Sequence, residues 1–281
     1  MGKRILSTLI LCTLVTLTIM KMGILGGVWL LAFCSTLTQW ELYQLMEKIG
    51  WNPHKKSATV LGTLVLLGSF FSQEGFFDFN YTLSMLVVVV VIFAFSVVLT
   101  GKPEDLKNVF LPTIFGFFYV PILLSIPISL IPKFLLLSDS RFPLLLILWV
   151  IVVTKFSDIG GLLIGSKFGK HKLAPAFSPK KTCEGLMGSI LFAVAIGYIF
   201  AFCCGNAWPG NFTKGKIGTV SAIIAVIALV SDLIESGFKR LAGEKDSGHT
   251  IPGIGGMFDL MDSLILALPM GIIIVKECIS I

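Results

Sequence analysis

Residues Thr82–Thr100 read TLSMLVVVVVIFAFSVVLT. The stretch holds no ionisable side chain. A helix rising about 1.5 Å per residue would carry it roughly 28 Å, close to the thickness of a bilayer's hydrocarbon core. Runs of the same character recur at 5–20, 23–46, 58–72, 109–131, 143–165, 184–204, 217–236 and 256–275. The run 58–72 is short, and 109–131 contains Pro121 and Pro127. Proline is tolerated in a membrane helix where neighbours satisfy the freed carbonyl.

Composition agrees. The 281 residues are 55% hydrophobic and 14% charged, with a mean hydropathy of +0.92. A soluble domain carries roughly 25% charged residues. These values exclude a water-soluble globule. They predict an all-α, polytopic membrane protein with about nine transmembrane helices. The N-terminus, Met1-Gly2-Lys3-Arg4 before an apolar run, has no small-residue cleavage site after it, so it reads as a retained span. The six cysteines form no C-x-x-C pair and read as small buried hydrophobes.

The net charge of +6 reflects topology and not nucleic acid, because no basic run is interleaved with aromatic residues. With the N-terminus on the cytoplasmic side, 15 of the 22 Lys and Arg residues fall in cytoplasmic segments and 6 on the opposite side. Lys155 lies within a span. This bias predicts a cytoplasmic N-terminus and puts the basic loops 166–183 and 237–255 on the cytoplasmic face.

The densest polar stretch runs from Ser231 to Ser263, SDLIESGFKRLAGEKDSGHTIPGIGGMFDLMDS. Asp232, Glu235, Ser236, Lys239 and Arg240 have the spacing of one helical face. Acids at the end of an apolar span are costly and mark either a functional site or an internal ion pair. Gly253-Ile254-Gly255-Gly256 breaks the helix and lets backbone N–H groups approach an anion. Asp259 and Asp262 follow, one turn apart on the next span. Carboxylates converging from Asp232 or Asp246 and from these two would suit Mg²⁺, and Lys239, Arg240 and Lys245 would suit phosphate oxygens. A solvated loop of mutually paired charges is the plain alternative.

A second cluster lies in the span 143–165, where Lys155 and Asp158 stand one turn apart above Gly161 and Gly165. The glycines predict close helix packing with Asp158 turned to the protein interior. An ion pair of Asp158 with Lys155 is the alternative. The loop that follows holds Lys167, Lys170, Lys172, Lys180 and Lys181 with Ser178 and Thr182, a set able to cradle a triphosphate or contact anionic lipid. His171 and His249 read as surface residues.

These residues together resemble the phosphatidate cytidylyltransferase family. Its C-terminal motif has the form S-x-x-K-R-x4-K-D-S-G, then P-G-H-G-G, then D-R-x-D. Here Ser236, Lys239, Arg240, Lys245, Asp246, Ser247, Gly248, Pro252, Gly253, Gly255, Gly256, Asp259 and Asp262 stand at the matching places. Asp158, Phe168 to Leu173, Ser178-Pro179, Lys181-Thr182 and Glu184-Gly185 extend the likeness. It covers roughly 154–189 and 231–263, while the N-terminal half matches only as apolar spans. Ile254 replaces the family's His and Leu260 its Arg.

The resemblance implies an N-terminal helical region, 1–142, and a catalytic region, 143–281. It implies transfer of CMP from CTP to phosphatidic acid within the bilayer, giving CDP-diacylglycerol and pyrophosphate. The cofactor would be Mg²⁺, with a monovalent cation as an optional companion. Asp232 and Asp259 would hold the metal, with Asp246 and Asp262 as further ligands. Ser178, Lys180, Lys181, Lys239, Arg240 and Lys245 would bind the CTP phosphates. Asp232, Lys239, Arg240, Asp246 and Asp259 would form the catalytic set, supported by Asp158, Glu235 and Ser236. The family also implies a homodimer in the inner membrane, in contact with membrane lipids and with its site facing the cytoplasm. A CTP-dependent lipid kinase, a cytidylyltransferase for another lipid phosphate, and a transporter are the rival readings.

Overall fold

A computed structural model describes residues 2–71, 79–137, 142–205, 208, 212–253 and 255–279. Ile254, one of the two departures from the family motif, lies outside them. The described chain is almost wholly helical. In order come α1 (Gly2–Ile49), α2 (Lys55–Phe71), α3 (Phe79–Thr100), α4 (Leu111–Phe117), α5 (Leu123–Leu137) and α6 (Phe142–Phe168). A hairpin follows, β1 (Lys172–Ala174) and β2 (Ser178–Thr182). Then come α7 (Cys183–Cys204), α8 (Lys214–Leu241), α9 (Met257–Met261) and α10 (Leu264–Ile279).

Among the described residues the runs expected to be spans are helical, except that 256–275 is divided by a turn at Asp262–Ser263 between α9 and α10. Six helical stretches among the described residues are long and apolar enough to cross a membrane: Thr13–Ile49, Leu106–Ile131, Phe142–Phe168, Cys183–Cys204, Lys214–Leu241 and Met257–Ile279. The chain is therefore an integral membrane protein. The expected count of nine differs from this for identifiable reasons. The first two runs lie in one helical stretch, interrupted at Gly23, whose φ of 57° and ψ of −135° only glycine adopts readily. Helix α2 has 17 residues, and the apolar part of α3, Ser84–Leu99, is also short. The run 109–131 is continuous, but turns Leu106–Phe110 and Phe118–Ile122 are wound as π-helix. The second contains Pro121, which lacks the N–H that regular α-helical bonding needs there.

The chain forms two compact units, each assembled from two stretches. The first comprises 1–129 and 238–261. Its core holds Leu42, Tyr43, Leu45, Met46, Phe117, Leu124 and Phe258. Tyr43 donates its hydroxyl to the Thr113 carbonyl at 2.7 Å, and the Gln39 amide donates to Tyr43 at 3.2 Å. A side chain on Gly116 would strike the Tyr43 ring, so this glycine is what lets the two segments close. At its C-terminal end, α1 reaches the segment after α8. Lys48 donates to Glu244 at 2.7 Å and holds that carboxyl below its ordinary range.

The second unit comprises 130–237 and 262–281. Helices α6 and α7 pack along most of their length through small residues. A Cβ on Gly188 would lie 2.5 Å from Ile164 Cβ and 2.7 Å from the Gly160 carbonyl oxygen. Gly161 meets Ser189, and Gly165 meets Gly185 and Thr182. The close approach expected from Gly161 and Gly165 is thus realised, with α7 as the partner. Trp149, fully buried, donates to the Gly197 carbonyl at 3.2 Å. Thr182 caps α7 by accepting from the Gly185 N–H at 3.1 Å.

Candidate active site

Helix α8 is unbroken from Lys214 to Leu241, so Asp232, Glu235, Ser236, Lys239 and Arg240 do share one face. Each unit gathers part of the polar set.

In the second unit, Asp232 and Glu235 from α8 meet Asp262 from the turn before α10. One carboxylate oxygen from each lies within 4.8 Å of the others. Glu235 is fully buried, and Asp232 and Asp262 are half-buried. Three carboxylates this close repel one another unless cations intervene. Two lysines supply part of that compensation. Lys181 Nζ lies 2.5 Å from Asp232 Oδ2, and Lys155 Nζ lies 3.8 Å from Asp262 Oδ1 and 3.9 Å from Asp158 Oδ2. The ion pair weighed as the alternative for Asp158 is therefore present but long, and it is shared with Asp262.

Hydroxyls fix the geometry. Ser263 Oγ donates to Asp158 Oδ2 at 2.9 Å, Ser231 Oγ donates to the Asp262 carbonyl, and Ser236 Oγ donates to Asp232 Oδ1 at 3.4 Å. Three hard, anionic oxygens from α8 and the turn before α10 fit a small divalent cation, which takes a few carboxylates and completes its shell with water or phosphate.

The basic loop of this unit is the β1–β2 hairpin, paired antiparallel with Lys172 opposite Thr182. Glu184, in the first turn of α7, clamps its base. It accepts from the Lys170 N–H at 3.1 Å and lies 2.6 Å from His171 Nδ1. Ser178 and Lys181 are half-buried and Lys180 is exposed.

In the first unit, Asp259 is the hub. Lys239 Nζ donates to its Oδ1 at 2.9 Å. Its Oδ2 accepts from the Ser247 N–H at 2.9 Å, the Gly256 N–H at 2.7 Å and Ser247 Oγ at 3.0 Å. Of the Gly253–Gly256 break, the Gly256 N–H does meet an anion, and that anion is Asp259 itself. Gly255, at φ 131°, has its Cα side turned to the same carboxylate, where a Cβ would sit 2.6 Å from Oδ2. Arg240, Lys245 and Asp246 lie exposed at the surface of this unit. Leu260, in α9, is half-buried.

Two partners were not foreseen from the sequence. Lys181, expected at the CTP phosphates, also pairs with Asp232. Glu41, in α1, was not singled out at all, although it is an acid in the middle of an apolar run, which is itself a signal.

The sequence model of the cytidylyltransferase family matches residues 2–278. Among curated proteins, the chain is similar to the phosphatidate cytidylyltransferase of Haemophilus influenzae, 38% identical over 131 residues, which is 47% of this chain and 46% of that protein. The phosphatidate cytidylyltransferase of Staphylococcus haemolyticus is 36% identical over 124 residues, 44% of this chain and 46% of its own. That of Staphylococcus aureus is 38% identical over 128 residues, with the same coverage of 44% and 46%. The aligned part spans about half the length of the curated relatives it matches.

Proposed function

The chain belongs to the cytidylyltransferase family, and from that membership we propose that it transfers CMP from CTP to phosphatidic acid, producing CDP-diacylglycerol and pyrophosphate. The observation that carries the proposal is the convergence of Asp232, Glu235 and Asp262 within 4.8 Å. Nucleotidyl transfer needs positioning and charge neutralisation more than covalent help. A lipid phosphate oxygen, already anionic near neutral pH, attacks the α-phosphorus of CTP. The new P–O bond forms as the bond to the β-phosphate breaks, and pyrophosphate leaves with its electrons. No strong base is needed.

Mg²⁺ is proposed at Asp232, Glu235 and Asp262, where it would neutralise triphosphate charge. Asp246 stands as a proposed further metal ligand, whereas Asp259, whose oxygens already face Lys239, Ser247 and Gly256, is proposed to hold Lys239 and not the metal. Lys180 and Lys181 in the hairpin unit, and Lys239, Arg240 and Lys245 in the other, are proposed phosphate ligands. In this reading Asp232 and Asp259 hold Lys181 and Lys239 in place until phosphate arrives. The region 143–281 is proposed as the catalytic part.

The finer topology belongs to the proposal as well: nine spans, a cytoplasmic N-terminus, a cell-membrane location with the site on the cytoplasmic side, and a homodimer. The Lys and Arg bias supports the orientation.

The test is direct. Purified protein in detergent with Mg²⁺, CTP and phosphatidic acid should release pyrophosphate in step with CDP-diacylglycerol, and chelating the metal should stop both. Absence of pyrophosphate across a panel of lipid phosphates would refute the reading.

A further inference from the structure

Glu41 is 3% exposed, yet no Lys or Arg of the described residues pairs with it. A buried carboxylate without a cation is costly unless neutral donors satisfy it. Two do in full and a third, the single Ser247 hydroxyl proton, is shared with Asp259; all three groups come from one short segment of the distant polar stretch. Ser247 Oγ and the Phe258 N–H reach Oε2 at 3.1 and 2.8 Å, and Thr250 Oγ1 donates to Oε1. The backbone of that segment gives way to the carboxylate. A Cβ on Gly248 would lie 2.8 Å from Glu41 Oε1, and one on Gly256 would strike both Glu41 Oε2 and Ser247 Oγ.

Ser247 and Gly256 also hold Asp259. Ser247 Oγ stands 3.1 Å from Glu41 Oε2 and 3.0 Å from Asp259 Oδ2, and it accepts from the Asp259 N–H at 3.2 Å. Gly256 points its N–H at Asp259 and its Cα at Glu41. One carboxylate therefore grips the segment from within, and the other is oriented by it.

We propose that Glu41 is a positioning residue, which fixes the 247–258 segment so that Ser247 and Gly256 aim Asp259, and through Asp259 the Lys239 ammonium. Its role is that of an acceptor. A glutamine at 41 keeps it: the amide oxygen receives Ser247 and Phe258, and the amide N–H₂ donates to Thr250, whose hydroxyl rotates to accept. A leucine of similar bulk cannot. The catalytic consequence rests on the reading proposed above, but the structural consequence does not, so two readouts separate them.

Full-length protein carrying Glu41→Leu or Glu41→Gln is compared with the unaltered chain. Amide hydrogen exchange is followed at Ser247, Gly256 and Phe258, and pyrophosphate release is followed with CTP and phosphatidic acid. Loss of hydrogen bonds to a charged acceptor predicts that Glu41→Leu speeds exchange at these amides about tenfold or more. It should lower kcat by about tenfold or more while KM for the lipid stays within about twofold. Glu41→Gln should restore protection and turnover together. Unchanged exchange in Glu41→Leu, or Glu41→Gln as impaired as Glu41→Leu, overturns the proposal. If the unaltered protein releases no pyrophosphate, the activity reading fails, and exchange alone still decides the role of Glu41. Should Glu41→Leu not fold, Ser247→Ala and Thr250→Val each remove one donor to Glu41. Both must then speed exchange at Phe258, and full protection in either overturns the proposal.

Discussion

Asp259 and Asp262 stand three residues apart, yet their surroundings differ in kind. Asp262 joins two other acids and a long contact to Lys155. Asp259 is enclosed by donors: a lysine, two backbone N–H groups and a hydroxyl. The two positions should therefore fail differently when neutralised. Asp262→Asn removes one anionic oxygen from a divalent site, and more Mg²⁺ should recover part of its lost rate. Asp259→Asn leaves Lys239 without its charged partner and places an N–H₂ against the Ser247 and Gly256 donors. It should lower turnover by about 100-fold, a loss of roughly 3 kcal/mol, and added Mg²⁺ should not restore it. Titrating Mg²⁺ against both variants in the pyrophosphate assay checks this; identical Mg²⁺ responses would contradict the distinction. At this scale the sequence was partly legible. The three-and-four spacing exposed Asp232, Glu235 and the lysines of α8, because a helical face can be read from residue numbers alone. The partners of those residues could not be read. Lys155 to Asp262, Lys181 to Asp232 and Glu41 to Ser247 join positions far apart in the chain, and only packing brings them together.

Helices α6 and α7 show what can be read from an element and what cannot. Gly161 and Gly165 announced a close-packed face, since small residues allow backbones to approach where apolar contact alone gives no preference in lipid. The matching glycines, Gly185 and Gly188, lie in a run that reads simply as another span. A branched side chain at the tightest point should force the pair apart. Gly188→Val would press against Ile164 and the Gly160 carbonyl, where overpacking costs about 1–3 kcal/mol. Its melting temperature in detergent should fall, whereas Gly215→Ala, whose added Cβ meets open space, should melt like the unaltered protein. Equal melting of both would show that the α6–α7 contact is looser than described. The β1–β2 hairpin was not foreseen. Its strands have 3 and 5 residues and are rich in lysine, so they carry no alternation of apolar and polar side chains from which a strand could be read.

Across the whole molecule, composition alone fixed the solvent. Exposed Leu, Val, Ile and Phe side chains cover α3, α6 and α7, a surface that water would not tolerate at this density. The sidedness of the spans rests on the Lys and Arg bias, and it can be measured. Single cysteines placed at Lys172 and Lys245, in a background otherwise lacking cysteine, should react with an impermeant thiol reagent only after the membrane is opened. A cysteine at Lys276 should react with sealed cells. Reaction of the first two in sealed cells would reverse the orientation.

The carboxylate of Glu41 also constrains inheritance. Gly248 carries no side chain because the space is already filled by an acid from the first helix, and at Gly256 the same acid shares that space with Ser247. A lineage that lost the acid at position 41 would free Gly248 to become alanine or serine, whereas Gly256 would still be hemmed in by Ser247 and the Gly248 backbone. A lineage that first changed Gly248 would press its new side chain onto the acid. Positions 41 and 248 should therefore drift as a pair, so that a substitution at one records the history of the other.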